Sequence, residues 1–139
     1  MARILGIDFG TKRIGIAVTD PLKIIVSPLA TIRADAAIDF LNAYMMAEDV
    51  EAIVCGFPGV ENKDLHAALE MFVERLKSKF AGIPIFFQDE DFTSQKASKV
   101  ILESGLRKKD RRDKSLVDKI SAVLILQGYL GHLNDMHTS

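Results

Sequence analysis

Arg3-Ile4-Leu5-Gly6-Ile7-Asp8-Phe9-Gly10-Thr11-Lys12-Arg13-Ile14-Gly15-Ile16-Ala17-Val18-Thr19 opens the chain with two apolar, β-branched runs separated by a short polar, glycine-bearing link. Arg3 to Asp8 and Ile14 to Thr19 are predicted strands, and Gly10-Thr11-Lys12-Arg13 the tight turn between them, so a hairpin starts the fold. The first strand ends on a charge, Asp8. Two further carboxylates hold comparable places: Glu90 comes just after the apolar run Ile83 to Phe87, and Asp118 lies inside a helix-like apolar segment. An uncompensated charge in such surroundings is costly, whereas three carboxylates together suit a divalent cation. That combination points to a nuclease.

Outward from the hairpin, Lys23 to Ile32 is a third extended run. Pro28 inside it cannot donate to a ladder and demotes at least part of that strand to an edge. From Ala34 the spacing turns helical, with Ile38, Leu41, Met45 and Met46 expected on one buried face. Ala52 to Phe57 is a short continuous apolar run, expected as a strand covered on both faces and ended by Pro58-Gly59. A second helix is predicted over Asp64 to Phe80, striped by Leu65, Leu69, Phe72, Val73 and Leu76, with Gly82 just past its end. Ile83 to Phe87 is the fifth strand. Thr93 or Ser94 caps a third helix running to Ser104, and a last helix spans about Ser115 to Leu130. The order βββαβαβαα predicts an α/β layer structure with a mixed sheet, antiparallel in the hairpins and parallel where helices cross over. Sites in such sheets gather at the carboxyl ends of strands, where Asp8 and Glu90 fall.

With 139 residues, 48% of them hydrophobic, the chain is long enough for one core and short for two, so residues 1–139 are expected to form one domain. No apolar run reaches 18 residues and Asp8 interrupts the N-terminal one; neither a membrane span nor a secretory signal is expected, and the location expected is the cytoplasm. The single cysteine, Cys55, excludes an intramolecular disulfide and reads as core packing. His66, His132 and His137 have no zinc-ligand spacing around it and read as surface or boundary residues. A net charge of −1 gives no global attraction to nucleic acid, so binding has to rest on a local patch. Arg107-Lys108-Lys109-Asp110-Arg111-Arg112-Asp113-Lys114, with six basic residues against two acidic ones, is the candidate. It reads equally as a solvated loop and as a phosphate-binding element. Lys12 and Arg13 belong to the turn first and can contact phosphate from it.

Each carboxylate also has a plainer reading. Spacing alone favours Asp8 as a turn residue that accepts backbone hydrogen bonds ahead of Gly10. Glu90 stands in Asp89-Glu90-Asp91, a pattern common in solvated loops. Asp118 shares a helix face with Ala122 and Ile125, which surface helices usually avoid, but a boundary position near Lys114 or Lys119 accounts for it as well.

Four segments in order resemble the YqgF family, described both as Holliday junction resolvases and as pre-16S ribosomal RNA nucleases within the RNase H-like superfamily. They are Leu5 to Ala17, Ile53-Val54-Cys55-Gly56-Phe57-Pro58, Asp89-Glu90 with Thr93-Ser94, and Leu116 to Ala122 leading to Ile125-Leu126-Gln127. The resemblance implies an RNase H-like α/β fold, a mixed five-stranded sheet in βββαβαβα order flanked by helices. It implies a metal-dependent phosphodiesterase with Asp8, Glu90 and Asp118 as catalytic residues and ligands of Mg2+ or Mn2+, needing no histidine or serine nucleophile. Precursor 16S rRNA, trimmed at its 5′ end, is the substrate implied, with ribosomal particles as possible company. Branched DNA and a non-catalytic RNA- or ribosome-binding module are the alternatives. Junction resolution predicts a two-fold dimer and RNA trimming a monomer, so a monomer or weak dimer is expected. The chain departs from the family's pattern at Asp91, where arginine is usual, and in the loop Gly59 to Asp64. Asp8-Phe9-Gly10-Thr11 is also similar to the first phosphate loop of actin-like ATPases and sugar kinases, but these need a second lobe that the chain is too short to supply.

Overall fold

Strand β1 (Arg3–Asp8) is buried along most of its length, and its alternation decides what each face of the sheet holds. In the computed structural model, which describes residues 2–57, 63–89 and 114–138, Leu5 and Ile7 point to one core while Ile4 and Gly6 point to another. β1 pairs antiparallel with β2 (Arg13–Thr19), which pairs antiparallel with β3 (Val26–Arg33). On its other side β1 pairs parallel with β4 (Val50–Phe57), and β4 parallel with β5 (Ile85–Asp89). The sheet order is β3-β2-β1-β4-β5, the mixed five-stranded sheet expected. Pro28 lies on edge strand β3, opposite Ala17, where the β2–β3 register shifts; a residue without a donor is tolerated at such an irregularity.

Helices α1 (Ala37–Ala47) and α2 (Lys63–Lys79) cover one face, burying Ala37, Leu41, Leu69, Phe72, Val73 and Leu76 against Leu5, Ile7, Ile14, Ile16 and Ile53. Leu69, Phe72, Val73 and Leu76 form the α2 stripe that its spacing predicted, with Leu65 only partly buried. Helix α3 (Lys114–Thr138) covers the other face, with Ala122, Val123, Ile125 and Leu126 on Ile4, Ala17, Ala52 and Val54. Its 25 residues make it about 37 Å long, and it touches all five strands. Small residues allow that approach. A β-carbon on Gly6 would stand 2.9 Å from Leu126 Cβ and 3.1 Å from the Ala122 carbonyl oxygen, closer than packed carbons come. Across the sheet, Phe86 stacks on Tyr129 with centroids 5.6 Å apart, tying β5 to α3.

Several boundaries differ from those read in the sequence. β3 begins at Val26 rather than Lys23, because the Asp20 carboxylate accepts hydrogen bonds from the Ile24 and Ile25 amides, both at 2.8 Å, and closes a turn with Lys23 at φ 60°. Leu22, Ile24 and Ile25 are exposed in that turn, the apolarity of Ile24 and Ile25 having suggested a strand. β5 begins at Ile85 rather than Ile83: Gly82 turns at φ 100°, and the Ile83 amide donates to the Phe80 carbonyl. The helix expected from Ala34 opens with a 3-10 turn, Ala34–Ala36. Met46, expected on the buried face of α1, is 82% exposed, since the face runs through Ala37 and Leu41 with Met45 at its margin. α3 continues eight residues beyond Leu130, interrupted by neither Gly128 nor Gly131. The helix expected over 93–104 lies outside the described residues. Cys55 is buried in β4, as expected. Among the described residues no helix is long and apolar enough to cross a membrane.

Candidate active site

Asp8 ends β1 and is half-buried. Gly6, two residues earlier, faces α3, so strand alternation turns the Asp8 side chain to the same face. The next residue goes the other way: Phe9 packs on Phe72 of α2, ring centroids 5.1 Å apart, which anchors the chain as it leaves the strand. Asp8 pairs with Gly15 of β2, and partner Cα atoms in such a ladder are about 5 Å apart.

Asp118 reaches the same place from α3. A β-carbon built on Gly15 would lie 2.2 Å from the Asp118 carbonyl oxygen and 3.1 Å from its Cβ. Gly15 therefore acts as a seat: Asp8 stands beside it in the sheet and Asp118 above it on the helix. Two acidic residues 110 positions apart in sequence thus adjoin the same glycine, and only a glycine lets the helix backbone come this close to the sheet. The Ile7↔Cys55 and Cys55↔Phe87 pairs set the ends of β1, β4 and β5 level, so Gly56 and Gln88 follow in the same row as Asp8. Gln88 meets α3 at Gly128, whose hypothetical β-carbon would be 3.2 Å from its Nε2.

Arg13 carries the local electrostatics. Its Nε donates to Asp118 Oδ2 at 3.0 Å, with the side chains 43% and 23% exposed. The other side of Arg13 opens on a cleft of about 410 Å³ lined by Thr11, Lys12, Arg13, Arg33, Ala34 and Asp35. Arg33 sits directly opposite Arg13 in the β2–β3 ladder and bonds Asp35 at 2.9 Å. A larger apolar groove, about 830 Å³ between α2 and Phe87, lies on the far face of the sheet and includes neither carboxylate.

Of the residues expected to carry the chemistry, Asp8 and Asp118 are thus together, with Lys12 and Arg13 alongside. Glu90, Asp91 and Arg107, Lys108, Lys109, Arg111 and Arg112 lie outside the described residues; Lys114 begins α3. The donors that are placed offer carboxylate oxygen only, which suits a hard divalent cation rather than zinc or copper. Among the described residues no three His, Cys, Asp or Glu side chains gather closely enough to hold a metal ion. Reading the sequence missed Gly15, Arg33 and the pairing of Arg13 with Asp118. A glycine inside a β-branched strand signals a close backbone approach, so Gly15 carried a usable mark; the other two carried none.

Comparison with known proteins places the chain. The family model described as "RuvX: Holliday junction resolvase" matches residues 2–132. The chain belongs to this family. It is thereby a member of a nuclease family, in keeping with the resemblance seen in its motifs. A relative from Porphyromonas gingivalis named "Putative pre-16S rRNA nuclease" is 48% identical over 133 residues, spanning 94% of this chain and 96% of its own. One of the same name from Amoebophilus asiaticus is 45% identical, covering 94% of each chain. The structure of the Fowlpox virus resolvase, solved with Holliday junction DNA, matches with a TM-score of 0.59 at 11% identity, over 94% of this chain and 98% of that one. Thermus RuvC, titled "T. thermophilus RuvC in complex with Holliday junction substrate", matches with a TM-score of 0.55 at 16% identity, over 95% and 96%. At these identities the two structures establish the fold, and the fold is the RNase H-like one expected.

Proposed function

We propose that this RuvX-family protein is a divalent-metal-dependent endonuclease that hydrolyses a phosphodiester in structured RNA, trimming the 5′ end of precursor 16S rRNA in the cytoplasm. The observation that carries this reading is the convergence of Asp8 and Asp118 on Gly15, at the carboxyl end of the central strand and beside a cationic cleft. The names carried by relatives at 45% and 48% identity favour RNA as the substrate.

Asp8 and Asp118 would hold Mg2+ or Mn2+, with Glu90, the residue after β5, as the third carboxylate. When bound, the metal lowers the pKa of the attacking water and stabilises charge on the leaving oxygen. The protein's own groups fix the geometry. Phe9 on Phe72 anchors the end of β1, Gly15 sets the height of Asp118, and Lys12, Arg13 and Arg33 offer positive charge to the backbone phosphates beyond the scissile one. Arg107, Lys108, Lys109, Arg111, Arg112 and Lys114 extend that contact along the nucleic acid and add to its salt dependence.

The test is cleavage of a precursor-16S fragment and of a four-way DNA junction, with Mn2+ or EDTA, by the wild type and by Asp8→Asn. Cleavage of the RNA that needs both Mn2+ and Asp8 is expected. Preference for the junction would make the protein a resolvase acting as a two-fold dimer. Cleavage that survives in Asp8→Asn would remove Asp8 from the mechanism, and no cleavage by protein shown to be folded would replace the enzyme with an RNA- or ribosome-binding module.

A further inference from the structure

Arg13 and Arg33 face each other across neighbouring strands, and Lys12 precedes the first of them. Like charges directly opposite in a ladder repel, so the arrangement needs anions close by. Each arginine has one, of a different kind. Arg33 holds Asp35, two residues away and exposed; Arg13 holds Asp118, 105 residues away, half-buried and part of the candidate carboxylate site. A guanidinium on Asp118 Oδ2 occupies one of the two oxygens that a divalent cation would use. It also places a positive charge where a second, doubly charged cation has to come.

We propose that Arg13 is an exchange counter-ion: it neutralises Asp118 while no divalent cation is bound, and is released by that cation to hold a nucleic-acid phosphate in the cleft it shares with Lys12 and Arg33. The inference rests on the nuclease reading and adds to it a coupling between cation and substrate. Arg13 already borders the cleft, so release requires only that Nε leave Oδ2; the backbone of β2 stays in its ladder. Two consequences follow from charge alone. The cation binds more weakly than two bare carboxylates would allow, because it displaces a guanidinium. Cation and substrate then assist one another, since each uses what the other frees, and linkage makes that assistance equal in both directions.

The experiment compares wild type with Arg13→Gln and Arg13→Lys, each checked for folding by thermal unfolding. Mn2+ affinity is measured by calorimetry without nucleic acid. Affinity for a fluorescent precursor-16S RNA fragment is measured by anisotropy in Ca2+ and in EDTA. Arg13→Gln is expected to bind Mn2+ about fivefold tighter, the scale of one partly exposed charge at this range. It is also expected to lose the gain in RNA affinity that Ca2+ confers on the wild type. Arg13→Lys, which keeps the charge, should retain Mn2+ affinity within about twofold of wild type. Weaker or unchanged Mn2+ binding in Arg13→Gln overturns the proposal, because it would make Arg13 a strut that merely orients Asp118. An undiminished Ca2+ effect on RNA binding in that variant overturns it as well. Mn2+ binding that is indifferent to both Asp8→Asn and Asp118→Asn would instead defeat the nuclease reading beneath it.

Discussion

Replacing Gly15 with alanine puts a methyl group, a net gain of one carbon and two hydrogens, at the point where Asp118 comes down beside Asp8. The added Cβ would fall 2.2 Å from the Asp118 carbonyl oxygen and 2.5 Å from its carbonyl carbon. Packed carbon needs roughly 3.3 Å or more, so the first turns of α3 have to lift from the sheet by about 1 Å. The obstacle is helix backbone, which cannot swing aside as a flexible side-chain tip can. Overpacking of this kind costs about 1–3 kcal/mol of stability. A displacement of about 1 Å in a catalytic group lowers rate by about 100-fold, so the loss of activity should far exceed the fraction of protein unfolded. Urea unfolding and single-turnover cleavage of the precursor-16S fragment measure the two effects separately. Gly131→Ala is the matched control: nothing lies within 4 Å of its hypothetical β-carbon, and the helix should gain up to about 1 kcal/mol with cleavage unchanged. Gly15→Ala with wild-type stability and a rate within about threefold of wild type would refute the seat. A stability loss with full activity would refute the link between helix height and chemistry.

Mn2+ at about ten times its dissociation constant should stabilise the wild type by about 1.4 kcal/mol in thermal or urea unfolding, and Asp8→Asn should abolish that increment; an increment that survives removes Asp8 from the ligand set. Backbone hydrogen bonds from Ile25 and Ile24 hold the Asp20 carboxyl below its usual 3.8. A depressed carboxyl stabilises the fold above its unfolded pKa and loses that contribution as pH falls through the folded one. Asp20→Asn should therefore lower Tm at pH 7, with the difference from wild type closing below pH 3.8, and a pH-independent difference would contradict the turn's electrostatic origin. Ser121 is fully buried and its Oγ has no hydrogen-bond partner among the described residues, so Ser121→Ala should be neutral or stabilising by about 1 kcal/mol in urea; a clear loss would mean that the hydroxyl is satisfied.

Much of the fold could be read before any coordinates, for local reasons. β1 and β2 advertised themselves through β-branched runs, the edge position of β3 through Pro28, and α2 through a stripe whose spacing matched one helix face. The errors also have local causes. Ile24 and Ile25 look like strand residues, yet a single carboxylate on Asp20 bends the backbone beneath them. Met45 and Met46 cannot both face inward from one helix, and composition did not say which would. The candidate site carried marks one residue at a time: Asp8 at the end of an apolar run, though spacing alone favoured a turn residue there, and Asp118 by sharing a face with Ala122. Their meeting was not legible, because it depends on Gly15 and on the approach of a helix that begins 99 residues later in the chain. No local pattern announces an ion pair between positions 13 and 118.

Among the described elements one face of the sheet is covered by α3 alone, the last of them in the chain. Synthesis runs from the N-terminus, so Ile4, Ala17, Ala52 and Val54 are made well before the helix that buries them, and Asp118 arrives with that helix. The growing polypeptide can form its hairpin and lay α1 and α2 on the opposite face while it still lacks half of the proposed carboxylate pair. Closure of the second core and the arrival of Asp118 beside Gly15 consequently come together, late in synthesis. If the proposed pair carries the chemistry, a nascent chain that has not yet reached α3 lacks it, even while its translating ribosome surrounds it with RNA.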